Sequence, residues 1–410
     1  MKILELFGGI GACSKALERL GIDYEIADYV EIDKYAVKSF NAMHGTNFEP
    51  QDICTWNKDI EVDLIMHGSP CQDFSLAGKQ AGGDEGSGTR SSLMYETIRI
   101  VEKLKPKYVI WENVKNVISK KHKHNFDNYL NKLQELGYTN YWQVLNAKDY
   151  GIPQNRERVF VISILDNKNF IFPQKQELKL KLKDMLEDEV DEKYYLSDKM
   201  LDYCLGVNQK KSKFPRKQRF LQSLNMTNNK QIATTISTNA GNIATDNFLK
   251  VKNATKKGYL EATDGDGINL SFPNSKTRRG RVGKQICQTL QCNDSVGVVL
   301  KSKCKRLQKL VFNTQFEKGK VLNMDLYNQT TNENISQTLT EPHHNSQRLF
   351  DGYRIRKLTP KECWRLMGFD DEDFEKAEKV NSNTQLYKQA GNSIVVNVLE
   401  AIFKGLFKVE

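Results

Sequence analysis

Four residues stand at the ends of apolar segments where their chemistry can be used together: a cysteine, a glutamate and two arginines. Cys71 follows a proline in Gly68-Ser69-Pro70-Cys71-Gln72, directly after the apolar run Val62-Asp63-Leu64-Ile65-Met66. A thiol at a strand exit can act as a nucleophile when neighbouring cations favour the thiolate. Packing is the other reading, because free cysteines are among the most buried residue types. Glu112 lies in Trp111-Glu112-Asn113-Val114, at the end of the apolar segment from Tyr108. A carboxylate there is costly unless it is paired or protonated, and one held toward neutrality can donate a proton to a ring nitrogen. A helix cap or an ion pair is the alternative. Arg156 and Arg158 alternate in Gln154-Asn155-Arg156-Glu157-Arg158, just before Val159–Ile164. Two arginines on one strand face can bind a carbonyl oxygen and lower a thiol pKa, or one can pair with Glu157 at a sheet edge.

A second group has the spacing of a nucleoside site. Leu6-Phe7-Gly8-Gly9-Ile10-Gly11 joins a strand to a helix, and glycines there let a ligand approach the backbone at a helix N-terminus. Glu31 ends the second strand, where a carboxylate can take both hydroxyls of a ribose. The spacing suits NAD as well as S-adenosylmethionine and departs from the dinucleotide GxGxxG pattern. Asp52-Ile53 can hold an adenine by its amine and its face, or Asp52 can simply end a turn.

These residues need elements to position them. Residues 1 to about 165 alternate strand and helix signals, with strands at Lys2–Leu6, Tyr24–Tyr29, Val62–Met66, Tyr108–Trp111, Tyr141–Asn146 and Val159–Ile164. Such alternation predicts a doubly wound α/β sheet with ligands at the carboxyl ends of its strands. Gln174–Lys193 reads as a charged, helix-like connector. From about Lys211 to Asp351 the chain is rich in Asn, Thr, Ser, Gly, Lys and Arg. Ile232–Ile236, Ile286–Leu290 and Ile335–Leu339 look like related short hairpins in one small β-rich domain, though chance recurrence of Thr and β-branched residues explains them as well. Thr359-Pro360-Lys361-Glu362 predicts a capped helix ending at Gly368. The apolar segment Ile394–Phe407 belongs back in the α/β core, which makes that domain discontinuous.

The 410 residues, 39% hydrophobic and 27% charged, fit a globular chain of two domains, and a net charge of +10 favours a polyanionic partner. Eight cysteines without CxxC pairs suggest neither a zinc site nor a disulfide framework and fit a reducing cytoplasm. The start resembles a lipoprotein signal ending at Cys13, but Glu5 and the glycine cluster break the apolar stretch such a signal needs. No apolar run approaches the roughly 18 residues of a membrane span.

Taken in order, these motifs resemble the cytosine-5 DNA methyltransferases of bacterial and phage modification systems. Phe7-Gly8-Gly9-Ile10-Gly11 is similar to the family's cofactor turn, Glu31 to its ribose acid, and Asp52-Ile53 to its adenine contact; Ile32 stands where many members have tryptophan. Pro70-Cys71-Gln72 resembles the catalytic loop, Glu112-Asn113-Val114 the cytosine-binding motif, and Gln154–Arg158 the paired-arginine motif. Arg354–Phe369 resembles the segment that organises the recognition domain, and Gln389–Val395 the last motif.

The resemblance implies an S-adenosylmethionine-dependent, Rossmann-like methyltransferase sheet with a smaller β-rich target recognition domain. It places the catalytic domain at 1–175 plus 385–410 and the recognition domain at 176–384, within which 353–384 organises that domain and returns to the core. It implies that Cys71 attacks C6 of a flipped cytosine while Glu112 holds N3 and the amino group. Arg158 then holds O2, with Arg156 supporting its loop, and a mobile Gly-rich stretch after Cys71 closes over the base. The implied cofactor contacts are Phe7, Gly8, Gly9, Ile10, Gly11, Glu31, Ile32, Asp52, Ile53, Pro70, Leu93, Asn392 and Ser393. Gln72, Ser75, Arg278, Arg279 and Arg281 are candidate DNA contacts. The implied partner is double-stranded DNA, met by a cytoplasmic monomer in a bacterial or phage-infected cell, with no metal, no membrane and at most a separate cognate restriction endonuclease. A transfer-RNA type cytosine-5 methyltransferase shares the catalytic core; the long Thr- and Asn-rich segment favours a reader of duplex DNA.

Overall fold

The apolar runs at the start of the chain become the central strands of one six-stranded sheet. β1 (Lys2–Leu6), β2 (Glu25–Val30), β3 (Leu64–His67) and β4 (Tyr108–Val114) are parallel, and β5 (Thr139–Asn146) and β7 (Glu157–Ile164) complete the sheet in antiparallel fashion. The order is β2-β1-β3-β4-β7-β5. Their near-continuous apolar character follows from burial on both faces; Leu4, Ile65, Val109 and Val161 share one core cluster. The computed structural model describes residues 1–70, 73–74, 82–166, 169–196, 249–271, 275, 277, 279–290, 292, 296–301, 322–325, 330–333, 347–348 and 353–409.

Helices α1 (Ala12–Arg19), α2 (Lys34–His44), α3 (Met94–Leu104) and α4 (Lys123–Glu135) follow β1, β2, β3 and β4. Asp33 caps α2 by accepting from the Tyr35 N–H at 3.0 Å, and Gly45, at φ 66°, ends it. The chain runs outward from β1 to β2 and then returns to β3 on the other side of β1. The carboxyl ends of β1 and β3 thus flank a topological switch point, where open α/β sheets hold their ligands.

The chain divides into two compact units: residues 1–189, 285–295 and 358–410, and residues 190–284 and 296–357. The boundaries differ from the expected ones, because 176–189, 285–295 and 358–384 pack with the first unit. In that unit α5 (Pro360–Arg365) starts at the expected Thr359 cap with Pro360 first in the helix; Thr359 and Glu362 form a capping box, the helix ends at Arg365 rather than at Gly368, and Gly368 has φ 85°. Its Trp364 indole donates to the Leu386 carbonyl, and Arg365 donates to the Met185 carbonyl. α6 (Asp371–Glu378), α7 (Asn383–Asn392) and α8 (Val396–Phe407) complete the unit, so the C-terminal segment does return to the core. Asn383–Phe407 is, against the sequence reading, apolar enough over 18 residues to meet a membrane-span criterion; 56% of that window is buried in the protein, and the helix is interrupted between α7 and α8.

Two further expectations fail. Gln174–Lys193 is not helical but extended, with single turns at Leu182–Met185 and Glu192–Tyr194, because its charged residues offer no apolar stripe to bury. The Ile286–Leu290 repeat is not a hairpin of the β-rich domain: β12 (Cys287–Gln288) pairs in parallel with β6 (Gln154–Asn155) inside the first unit, burying Cys287 and Leu290. The other two repeats, Ile232–Ile236 and Ile335–Leu339, lie outside the described residues.

The described residues of the second unit lie mainly in strands. β10 (Gly267–Asn269) pairs with β11 (Val282–Gly283) and β13 (Val296–Lys301), and β13 pairs with β17 (Tyr353–Lys357), all antiparallel. β8 (Leu249–Lys252) and β9 (Tyr259–Ala262) form a hairpin, and β14 (Leu322–Asp325) pairs with β15 (Thr330–Glu333) and β16 (Gln347–Arg348).

Candidate active site

The turn after β1 is built for a close approach. Phe7, Gly9 and Gly11 all have positive φ, and a Cβ on Gly8 would come 2.6 Å from the Tyr29 ring. A Cβ on Gly9 would meet nothing within 4 Å, so space lies open over the turn. Glu31 fixes this turn from β2. One carboxylate oxygen accepts the Gly9 N–H at 3.1 Å and the other accepts the Asp33 N–H at 2.8 Å. Burial pushes the Glu31 pKa up while those two N–H groups pull it down. A carboxylate has further acceptor positions beyond these two bonds. Ile32 beside it is 68% exposed, and Phe7 and Leu93 pack half-buried against the same core cluster. An open glycine turn, a carboxylate and apolar walls form a donor and contact set that fits an adenosyl group.

The second cluster sits at the ends of β3, β4 and β7. Arg158 Nε lies 3.0 Å from Glu112 Oε1, and Glu112 is 8% exposed. Burial raises the Glu112 pKa; the charges of Arg158 and Arg156 oppose it. Gly68 is beside this pair: a Cβ there would stand 3.7 Å from Glu112 Oε2 and 3.5 Å from the Ile394 side chain. Ser69 is held from β4, its hydroxyl accepting the Trp111 indole N–H at 3.0 Å and its carbonyl the Asn113 amide at 3.2 Å. The sheet therefore holds Gly68 beside Glu112 and Ser69 against β4. Cys71, Gln72 and Ser75 lie outside the described residues.

Arg156, 4% exposed, is a tie rather than a pocket wall. Its guanidinium donates to the carbonyls of Leu290, Gly391 and Ser393 at 3.2, 3.1 and 2.8 Å. It thereby joins the paired-arginine segment to the Asn392–Ser393 turn. Thr289, Leu290 and Cys292, unforeseen as part of this site, complete the tie. Gln154 accepts the Leu290 N–H with its side-chain oxygen and donates to the Leu366 carbonyl, while Thr289 donates to the Asn155 carbonyl. The Cys292 thiol donates to Asn392 Oδ1. The signal available in the sequence was the apolar pair Cys287 and Leu290 inside a polar stretch.

Asp52 is exposed and accepts the Cys54 N–H at 3.0 Å, the turn role read as its alternative, and Ile53 is buried in the core. Ile10 is buried, Pro70 half-buried, and Asn392 exposed. Arg281, read as a candidate DNA contact, is buried. At 1% exposed it donates to the carbonyls of Asn269 and Lys252, a packing role inside the second unit. Arg279 is exposed, and Arg278 lies outside the described residues. Among the described residues no group of three or more His, Cys, Asp or Glu is placed to hold a metal.

Residues 1–408 match the model of the C-5 cytosine-specific DNA methylase family. The chain belongs to that family. It is 33% identical to the type II methyltransferase M2.ScrFI of Lactococcus lactis subsp. cremoris, over all of this chain and 99% of the relative. It is also 33% identical to the orphan methyltransferase M.SPRI of Bacillus phage SPR, over 99% and 97% of the two chains. Among solved structures, DNMT2 of Spodoptera frugiperda superimposes with a TM-score of 0.54 at 21% identity, covering 99% of each chain. A putative DNA modification methyltransferase encoded within an Escherichia coli prophage gives 0.53 at 18% identity, covering all of this chain and 99% of that one. These likenesses carry the methyltransferase fold.

Proposed function

We propose that this C-5 cytosine DNA methyltransferase transfers the methyl group of S-adenosylmethionine to C5 of a cytosine flipped out of a short, specific duplex site, through a covalent bond from Cys71 to C6. The observation that carries this reading is the Glu112–Arg158 ion pair beside Gly68. It puts a buried acid and a guanidinium at the strand end that leads through Pro70 to Cys71.

Glu112, its pKa raised by burial, holds the proton shared with N3, which draws electrons from the ring. Arg158 neutralises charge developing at O2. The Cys71 thiolate adds to C6, and C5 becomes the nucleophile. S-adenosylmethionine, held by Glu31, Ile32, Phe7 and the glycine turn, supplies an electrophilic methyl group. As the C5–methyl bond forms the sulfonium S–methyl bond breaks, its electron pair stays on sulfur and S-adenosylhomocysteine is the leaving group; C5 then gives up its proton to a base, the C5–C6 double bond re-forms and Cys71 leaves as the thiolate. C6 is out of reach inside a stacked duplex, so the base must leave the helix first.

The β-rich second unit is the proposed target recognition domain, and the net charge of +10 supports a polyanionic partner. Cys71→Ala is expected to abolish methyl transfer and keep cofactor binding. Duplex DNA carrying 5-fluorocytosine in the target is expected to trap a denaturation-resistant adduct, since fluorine cannot leave as a proton does. Activity in the Cys71→Ala variant, or no adduct, overturns the covalent route. Bisulfite sequencing of DNA from cells expressing the chain reads position and site. Methylation of transfer RNA in preference to duplex DNA would overturn the DNA reading.

A further inference from the structure

Glu5 is a buried acid that none of the steps above uses. It lies on β1 two residues before Phe7, is 2% exposed, and faces Met66 of β3 and Tyr29 of β2 in register. Its carboxylate accepts the Ser14 N–H at 3.1 Å and also the Ser14 hydroxyl. Ser14 is in the first turn of α1, and Gly11, at the N-cap, has no side chain with which to cap that helix. First-turn N–H groups need an acceptor from outside the helix. Glu5 supplies one from the neighbouring strand.

The glycine turn is thus clamped from two sides. On the β2 side Glu31 takes the Gly9 N–H and the Tyr29 hydroxyl donates to the Gly9 carbonyl at 2.5 Å. On the α1 side the Gly11 N–H closes onto the Gly8 carbonyl, and the helix that follows is fixed through Glu5 and Ser14. We propose that Glu5 is a positioning residue for cofactor binding: it caps α1 from β1 and holds the Phe7–Gly11 turn in the conformation that receives the cofactor. The inference rests on the reading of that turn as the S-adenosylmethionine site.

The groups facing Glu5 are Cys13 and Ser14 on α1 and Tyr24 and Tyr29 on β2 or just before it, none of them cationic; Glu18 of α1 faces Tyr24. Burial pushes the Glu5 pKa up to about 7, against the two Ser14 bonds. The charge of the cap therefore changes near neutrality, and an anion is the better acceptor at a helix N-terminus. Cofactor binding should strengthen as pH rises through that value.

The test is calorimetric titration of S-adenosylmethionine and S-adenosylhomocysteine into the full chain from pH 6 to 8.5, with steady-state kinetics alongside. Glu5→Ala is expected to raise the cofactor Kd about tenfold, the scale of a lost cap, with kcat at saturating cofactor little changed. Glu5→Gln keeps an acceptor but no charge, so it should restore most of the affinity and flatten the pH dependence of binding. Glu31 is present in both proteins, so any contribution it makes cancels in the comparison. Leu17→Ala, a cavity in the buried face of the same helix, controls for lost stability. If Leu17→Ala weakens binding as much as Glu5→Ala does, or if Glu5→Ala binds like the wild type, the inference is overturned. Should Glu5→Ala fail to fold, Ser14→Ala removes the hydroxyl donor alone; it is expected to weaken binding in the same direction, and unchanged binding counts against the cap. A wild-type chain that binds no S-adenosylmethionine overturns the reading of the turn itself, a different failure from a wild-type chain that binds and a Glu5→Ala variant that binds equally.

Discussion

Arg158 Nε lies 3.0 Å from Glu112 Oε1, linking the antiparallel strands β7 and β4 at the end where Gly68 approaches. The pair sets two opposed effects on one carboxyl: burial raises its pKa, and the charges of Arg158 and Arg156 lower it. Burial wins, so the folded chain holds the Glu112 proton more tightly than the unfolded chain does. A carboxyl of this kind contributes stability that is complete below its unfolded pKa and is lost as pH rises through the folded value.

Glu112→Gln should therefore separate stability from activity. At pH 8 the wild type bears the cost of a buried carboxylate, and the amide does not. The variant is expected to melt at or above the wild-type temperature at pH 8, with the advantage fading toward pH 4. Methyl transfer should fall by about 100-fold or more. Thermal melts across pH, with methyl incorporation into DNA, read both. A variant that melts lower at pH 8 would show that the arginine pair outweighs desolvation.

His67 makes the opposite pH prediction. It is fully buried on β3, bonded to the Tyr129 hydroxyl at 2.7 Å and close to the Thr97 hydroxyl at 3.4 Å, and burial lowers its pKa to about 3. Its unfolded form takes a proton near pH 6.5, so its contribution is complete above that value and falls away as pH drops toward 3. Between pH 6.5 and 5 the loss should be about 2 kcal/mol. Urea unfolding of the wild type and His67→Gln at both values tests this, the variant showing the shallower acid loss. Parallel slopes would remove His67 from the acid limb.

How much of this was legible in the sequence depends on the range of each contact. Glu112 and Arg158 could be read because each sits at the end of an apolar run, and β3 beside β4 follows from alternating strands and helices. The Thr359–Glu362 cap is a four-residue signal, and it formed as read. The parallel pairing of β12 with β6 spans more than 130 residues and uses two residues on each strand, too little pattern to announce itself. Glu5 was visible only as a charge that spoiled an apolar run; its partner Ser14 appears once α1 folds back along β1. The burial of Arg281 was not legible because a basic loop and a buried guanidinium look alike in sequence. Only the carbonyls of Asn269 and Lys252 tell them apart.

Arg156→Ala removes the donors that hold the carbonyls of Leu290, Gly391 and Ser393. Leaving buried acceptors without partners should cost about 2–4 kcal/mol. Since two of those carbonyls flank Asn392, the KM for the cofactor should rise as well. Arg156→Lys should recover only part of either effect, because a single ammonium cannot span three carbonyls as a planar guanidinium does. Equal behaviour of Lys and Arg would mean that charge alone matters at this position.

Arg281 and Arg279 separate packing from DNA contact within the second unit. Arg281 is buried with its guanidinium on the carbonyls of Asn269 and Lys252, whereas Arg279 is exposed. Arg281→Ala is therefore expected to destabilise the chain by about 2 kcal/mol, the scale of lost bonds to buried carbonyls. Below the melting temperature it should leave the slope of log K against log salt for duplex DNA unchanged. Arg279→Ala should change stability by less than about 0.5 kcal/mol, as surface substitutions do. If Arg279 meets a phosphate, the same variant should reduce that slope by about 1. Binding titrations from low to moderate salt, with melts of both variants, distinguish the roles. A reduced slope in Arg281→Ala with normal stability would return that arginine to the DNA interface.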